Sequence, residues 1–491
     1  MASWTDDQAR AYIGKYYELS LKPAQFAMLA NTSKWFMPRK VQKKGKRFNF
    51  WTYIEPATGV RRSDYDAAVT AAFPTPQSET AQILSYDTED LSVFQSTLEI
   101  NDMLNLETKD ALSIDTLAER AIFNQSRDYA FQMNNAIWQG TDCQMAQTVL
   151  PSGFSTCAYK NDWSGDEYAT GTSAYLNIDS GSITQFTPGM TIDLDTGGTD
   201  VNDVIVKDVF YGTEGPYKAD GTNNLPGPGI TIYKLGVTNE FTNIANNTVI
   251  RRSDEAAGDN FAGFPSWFSP TTNVYNDENG TAITRTALGN AWSIPNIFNY
   301  TSGGSPVVFD IATHFVDMSN QLANRIHCGR VARDAAMPRE DGVSCPSVLT
   351  AFGRPNIINE AVSTLDDSRR FTMQAAADLS AEQKKEYFGA VSFDGVVYHD
   401  PNLGAIALQA DPASTADQLL VLDPQSWFYL TDTNSMKPTW LDDGAGQWTR
   451  ITDTNITMKR QAGTWLSCLL VCDQMPANSV IKGITSTATA V

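Results

Sequence analysis

Residues 116–140 read TLAERAIFNQSRDYAFQMNNAIWQG. The stretch opens on a capping box, Thr116 with Glu119 three residues later, and closes on Gly140, the residue type that most often follows a last helical turn. No proline interrupts it. The spacing predicts a single helix over 116–139, roughly 36 Å long at about 1.5 Å of rise per residue. Leu117, Ala121, Met133, Ala136 and Ile137 fall near one stripe, which the polar run NQSRD at 124–128 interrupts. Two readings stand: an ordinary amphipathic helix with a polar patch, or a long strut across a sheet whose middle faces solvent or a neighbour.

On the N-terminal side, residues 1–38 read as an arm punctuated by Pro23 and Pro38. The next stretch is unlike the rest of the chain. Lys34, Arg39, Lys40, Lys43, Lys44, Lys46 and Arg47 place seven positive charges within fourteen residues, with no acid among them. KRFNFWTYIE (46–55) then alternates and is rich in aromatics, which suits a strand. PATG (56–59) is a turn signal, and VRRSDYDAAVT runs back. Residues 46–70 are therefore expected to form a two-stranded ribbon, with Phe48, Phe50 and Ile54 on one face and Trp51 and Tyr53 on the other. A lone ribbon is marginal in water. One that is apolar on both faces needs a second surface to cover it. Residues 80–105 read as extended.

On the C-terminal side, TPGMTIDLD, VNDVIVKDVFYG and PGPGITIYKLG are short strands between turn residues, and 183–250 reads as a small all-β insertion. An irregular segment follows, with an Asn-Gly turn at 279–280. Ile311, Phe315, Met318, Leu322 and Ile326 form a helical stripe, with Gly329 as its stop. Short helices are expected at 357–365 and after the capping box SAEQ (380–383). VSFDGVVYHDP carries an Asp-Gly hairpin turn, and QLLVLDPQSWFYL and GTWLSCLLVCDQMP are apolar enough to be central strands. The sum is an α+β chain whose sheet strands come from distant parts of the sequence.

The 491 residues carry a formal charge of −20 and 42% apolar residues. That is length for two or three domain-sized units, and a surface that repels nucleic acid over most of its area. MASWTDDQAR does not read as a secretory signal, and no run reaches the ~20 apolar residues that span a bilayer. No C-x-x-C pair, H-E-x-x-H, G-x-S-x-G or phosphate loop occurs, so no catalytic, cofactor or metal residues are assigned. Cys468 and Cys472, four apart in a strand, share a face and read as buried thiols. DLDTGGTDVND (193–203) has the composition of a calcium loop, but Val204 stands where its twelfth-place Glu belongs, and it reads as a polar turn. The basic run either binds nucleic acid with Trp35, Phe36 and Phe48 as stacking groups, or docks on an acidic copy of the same protein. Against a chain at −20, docking is the preferred reading.

Arm, basic ribbon, long helix, β insertion, helical segment and apolar closing strands, in that order, resemble the major capsid proteins of tailed bacteriophages, which have the Hong Kong 97-type fold. ALSIDTLAERAIFNQSRDYAFQMNNAIWQG is similar to the family's spine helix, and the ribbon to its extended loop (E-loop). FAGFPSWF with ITRTALGNAW resembles a segment that many members carry before the axial domain. FDGVVYHDPNL, LLVLDPQSWFYL and LSCLLVCDQMPANSVIKGI resemble the closing strands.

The resemblance implies an arm over 1–38, an extended loop over 39–76, a peripheral domain over 77–182 with the spine helix at 116–139, the β insertion at 183–250, a mainly axial domain over 251–440 and closing strands over 441–491. It implies a non-enzymatic virion protein without cofactors, made in the bacterial cytoplasm, that forms pentamers and hexamers of a shell around double-stranded DNA without reading its sequence. A portal protein, a separate scaffolding protein and a decoration protein are the implied partners, and no membrane. Another virion component (a tail or decoration protein) and a carbohydrate-active enzyme are the alternatives. The expected inter-subunit contacts are Lys40, Lys43, Lys44, Lys46, Arg47, Trp51, Tyr53, Arg61 and Arg62. The polar middle of the helix is expected to face a lumen or a neighbour. Reversing Lys43, Lys44, Lys46 and Arg47 to Glu is expected to leave a folded chain that does not assemble.

Overall fold

The structure, a computed structural model, describes residues 36–53, 81–101, 125–150, 158–160, 171–322, 348–363, 370–371, 396–432, 439–440, 449–450 and 459–486, with short breaks inside several of these runs, together with Thr32. The capping box Thr116/Glu119, the return strand after PATG, Ile326, the SAEQ helix and the Asp394–Gly395 turn lie outside the described residues.

The longest strand, Lys459–Cys472, organises the first sheet. Its residues 459–468 pair antiparallel with 92–101, and its residues 468–472 pair antiparallel with 427–431. Thr439–Trp440 and Thr449–Arg450 add short rungs, and Met37–Pro38 lies parallel against 428–429. Phe428, Tyr429, Leu466, Cys468, Leu470 and Cys472 bury on this sheet, as their apolar runs predict for a central position. Cys468 and Cys472 are free, fully buried thiols, and burial raises both of their pKa values far above the ordinary thiol range. The core is largely aromatic. Trp427 meets Phe264 edge-on at 5.2 Å and Trp267 at 5.5 Å between ring centroids.

Past Cys472 the chain crosses into a second sheet. Ser479–Lys482 lies between a parallel neighbour, 296–299, and an antiparallel one, 418–422, in a seven-stranded sheet that continues through 348–353, 404–410, 396–400 and 370–371. At the crossing, Asn478 is fully buried with its amide satisfied on both sides. Its Oδ1 accepts from Asp423 N and Trp427 Nε1, each at 2.9 Å, and its Nδ2 donates to Ser426 Oγ and Gln474 O. Two helices cover this sheet. The first shows the expected stripe, with Ile311, Phe315, Met318 and Leu322 buried, and the second runs Pro355–Ser363 with Pro at its first position.

The strands expected at 183–250 lie in a seven-stranded antiparallel sheet that also takes in 146–147, 158–160, 171–177 and 249–252. Ile192 and Leu194 alternate inward on one strand, Val204 and Val206 on the next, and Ile230 and Ile232 on a third. The Asp-rich stretch there is a hairpin in which Asp203, with φ of +59°, donates its N–H to Asp193 Oδ1 at 2.8 Å.

In the helix at 127–138 the polar stretch expected at 124–128 divides between water and the interior. Arg127 and Asp128 are exposed, but Gln125, Asn134 and Gln139 are buried inside the chain. Gln125 Nε2 donates to Thr464 Oγ1 at 3.0 Å, Tyr129 OH donates to Thr464 O at 2.9 Å, and Gln139 Nε2 donates to Gln185 Oε1 at 2.8 Å. The largest knot is Asp411. Its buried carboxylate accepts from Asn134 Nδ2, Trp138 Nε1, Ala413 N and the Thr32 hydroxyl. Polar helix positions bury when partners are supplied, and here the partners stand 46 to 339 residues away in sequence. The helix end is also built from afar. Asn260 Nδ2 donates to the carbonyls of Ala136 and Gly140, at 3.0 and 3.1 Å. Gly263 packs so close that a Cβ there would stand 2.1 Å from Gln139 O.

Asp411→Ala strands Trp138 Nε1 without its acceptor and takes one from Asn134 Nδ2, and chemical denaturation is expected to show a loss of about 3–5 kcal/mol. Asp317 has its pKa held below the ordinary carboxylate value by hydrogen bonds from Tyr300 OH at 2.7 Å and Gln321 Nε2 at 2.9 Å. A depressed folded-state pKa gives stability that is present above the unfolded pKa and lost as pH falls through the folded one. Tyr300→Phe is therefore expected to raise the Asp317 pKa in an NMR titration and to narrow that window of pH-dependent stability.

Candidate inter-subunit surface

The basic ribbon begins as a three-stranded antiparallel sheet. Gln42–Lys44 turns through Gly45, at φ of +66°, into Arg47–Tyr53, and that strand pairs along its whole length with Ala81–Asp87. Gly45 stands with no atom within 4 Å of a notional Cβ, so its requirement is the left-handed backbone rather than space. The described partners of the ribbon strand are thus 42–44 and 81–87. The expected return strand and Ile54 fall in 54–80, outside the described residues.

Strand alternation sends Phe48, Phe50 and Thr52 inward. Phe50 stacks near Tyr86 at 6.0 Å and meets Phe428 edge-on at 5.4 Å, so the chain's own main core covers this face. Thr52 donates its hydroxyl to Asp473 O, at the crossing between the two large sheets. Tyr86 OH donates to Val274 O at 2.8 Å. The other face carries Trp51, 58% exposed and opposite Ile83. At its root the ribbon has one internal face, covered by the chain's own core, and one open face that carries Trp51.

The charges separate in the same way. Lys43 pairs with Asp432, and its ammonium lies 5.3 Å from the Phe48 ring centroid. Arg47 Nε pairs with Asp87 Oδ1 at 3.0 Å, and its Nη1 donates to Glu278 O at 3.4 Å. Lys46 pairs with Glu89 at 3.1 Å, both side chains almost fully in water, where such a pair contributes little. Lys44 is exposed, with no ion pair among the described residues. Three of the predicted docking cations therefore have an acid of the same chain within ion-pair distance. The acids that meet them, at 87, 89 and 432, gave no local sequence signal. Lys40, Arg61 and Arg62 lie outside the described residues, and Tyr53 is placed only as the last residue of its strand. What the described residues bring together is a rigid root with Trp51 and Lys44 outward.

No family model matches the sequence, and no curated protein does. Solved structures match it at low identity and with TM-scores below 0.5. A chain of the cyanophage A-1(L) capsid asymmetric unit is 11% identical, with 92% of each chain covered and a TM-score of 0.46. A chain of the satellite phage P4 procapsid with its size determination protein is 9% identical, covering 100% of this chain and 94% of that one, at a TM-score of 0.35. A chain of the Ralstonia phage GP4 capsid is 9% identical, covering 92% and 88%, also at 0.35. Among the described residues, no helix is long and apolar enough to cross a membrane.

The two faces of the root separate by mutation. Phe50→Ala is expected to cost about 3–5 kcal/mol of stability, as a buried aromatic does. Trp51→Ala is expected to stay within about 0.5 kcal/mol of the parent. Urea unfolding of the two variants side by side checks both.

Proposed function

We propose that this chain is the structural protein of an icosahedral head shell, assembling as pentamers and hexamers around the double-stranded DNA of a tailed bacteriophage. The observation that carries this reading is the anchored root of the ribbon. Phe48 and Phe50 fix it in the core, ion pairs to Asp87 and Asp432 fix its edge, and Trp51 stands exposed near the end of its strand at Tyr53. A pedestal of this kind aims an aromatic and basic segment away from its own subunit. The rest of the chain, at −20, supplies acidic surface for it to meet on another copy. Many such weak contacts, repeated by symmetry, sum to a stable closed particle.

In this reading the fold is of the Hong Kong 97 type. Helix 116–139 is the spine, and residues 39–76 are the extended loop. The sheet around Lys459–Cys472 belongs to the peripheral domain, and the sheet holding Ser479–Lys482 belongs to the axial domain, where copies meet. The protein is non-enzymatic, made in the bacterial cytoplasm, and works with a portal and a scaffold. Its negative charge keeps packaged DNA from adhering to the shell wall. Neither alternative reading is favoured by a particular observation.

Since Lys43, Lys46 and Arg47 have partners within the chain, reversing all four root cations confounds folding with assembly. Trp51→Ala and Lys44→Glu are the cleaner variants. The parent, expressed with its scaffold, is expected to sediment as large closed particles that negative-stain microscopy shows as shells. Trp51→Ala with Lys44→Glu is expected to cut particle yield at least about tenfold, with unfolding unchanged, since lost rim contacts multiply over a closed shell. A parent that sediments only as a monomer under these conditions overturns the capsid reading. Normal particle yield from the double variant overturns the role of the ribbon root.

A further inference from the structure

The irregular segment 261–293 contains a buried cation that the shell reading does not use. Arg285 is fully buried. Its Nη1 donates to the carbonyls of Trp267 at 2.8 Å and Ser269 at 2.6 Å, with Ser266 O at 3.5 Å, which closes the short helix 264–267. The indole of Trp267 and the ring of Tyr275 stand 5.9 and 5.7 Å from the guanidinium carbon. The opposite edge of the guanidinium is Nε with Nη2. These two N–H groups point the same way and form the fork that binds an anion side-on. Both are buried without a hydrogen-bond partner, and so are Trp267 Nε1 and the Tyr275 hydroxyl beside them.

No carboxylate pairs with Arg285 among the described residues. The titratable groups that act on its charge are Tyr275, Cys472 and Tyr86. Burial pushes the pKa of each of the three far up, so all three are neutral at physiological pH. A buried guanidinium without a counter-charge is costly, and removing even one partner of a buried pair costs several kcal/mol.

We propose that the Nε/Nη2 edge of Arg285 binds one small inorganic anion of halide size, enclosed during folding. Two arguments select this ligand. The side chains there are fully buried, which leaves no path for a peptide carboxylate from another protein. The unpartnered groups are chiefly donors, whereas an internal water needs acceptors as well.

Bromide is the probe. Crystals of the full chain grown in bromide are expected to show an anomalous peak within hydrogen-bond reach of Nε and Nη2. Thermal unfolding of the full chain is expected to rise by about 2 °C when bromide replaces gluconate at constant ionic strength, by mass action on the folded state. Arg285→Lys keeps the charge but not the fork, and is expected to lose this bromide dependence. A site with no anomalous peak, or with a water or a carboxylate at that edge, overturns the proposal. So does an equal bromide shift in parent and Arg285→Lys. Should the variant fail to fold, the anomalous measurement on the parent decides alone.

Discussion

The hydrogen-bond ladder of Lys459–Cys472 is the constraint on which the other parts depend. One edge of this strand holds 92–101 and the other holds 427–431, and its Thr464 receives Gln125 and Tyr129 from the helix. Its continuation, locked by Asn478, becomes an inner strand of the second sheet. One run of backbone therefore fixes two cores relative to each other. Leu469 and Val471 are buried beside Cys468, Leu470 and Cys472, so this end of the strand is covered on both faces.

The polar network belongs to the same design. Asp411 gathers donors from the helix, from its own turn and from Thr32, and Asn260 closes the helix at its far end. Each is a small group placed where an element would otherwise end with bare donors or acceptors. Because the partners are specific, the helix has one rotation and one depth against the sheets, which an apolar stripe alone would leave looser.

What the sequence made legible follows from what is local. The stripe Ile311, Phe315, Met318 and Leu322 was readable because a 3.6-residue period is a property of neighbours. The apolar runs at 418–431 and 464–472, and the shared face of Cys468 and Cys472, were readable for the same reason. The inner face of the ribbon was correctly grouped as Phe48 and Phe50, but what covers it was not. Phe428 and Tyr86 do, and nothing near residue 50 points to them. The same holds at the surface. A dense basic run is visible in any reading, while its pairing with Asp87, Glu89 and Asp432 depends on tertiary folding. Gln125 looked like part of a wet stretch because its partner, Thr464, is distant, and Asp411 and Gln185, the partners of Asn134 and Gln139, are equally invisible near the helix. Arg285 had no signal in the sequence at all.

The pairing of 92–101 with 459–468 also sets a timetable. A ribosome has added more than three hundred residues between making the first strand and making its partner. Until then the inner edge of 92–101 has no native mate, and the face that the ribbon root rests on is unfinished. Contacts this far apart along the chain form late and slowly. A polypeptide built in this way cannot finish its first sheet until residues 459–468 have been made, however early 92–101 leaves the ribosome.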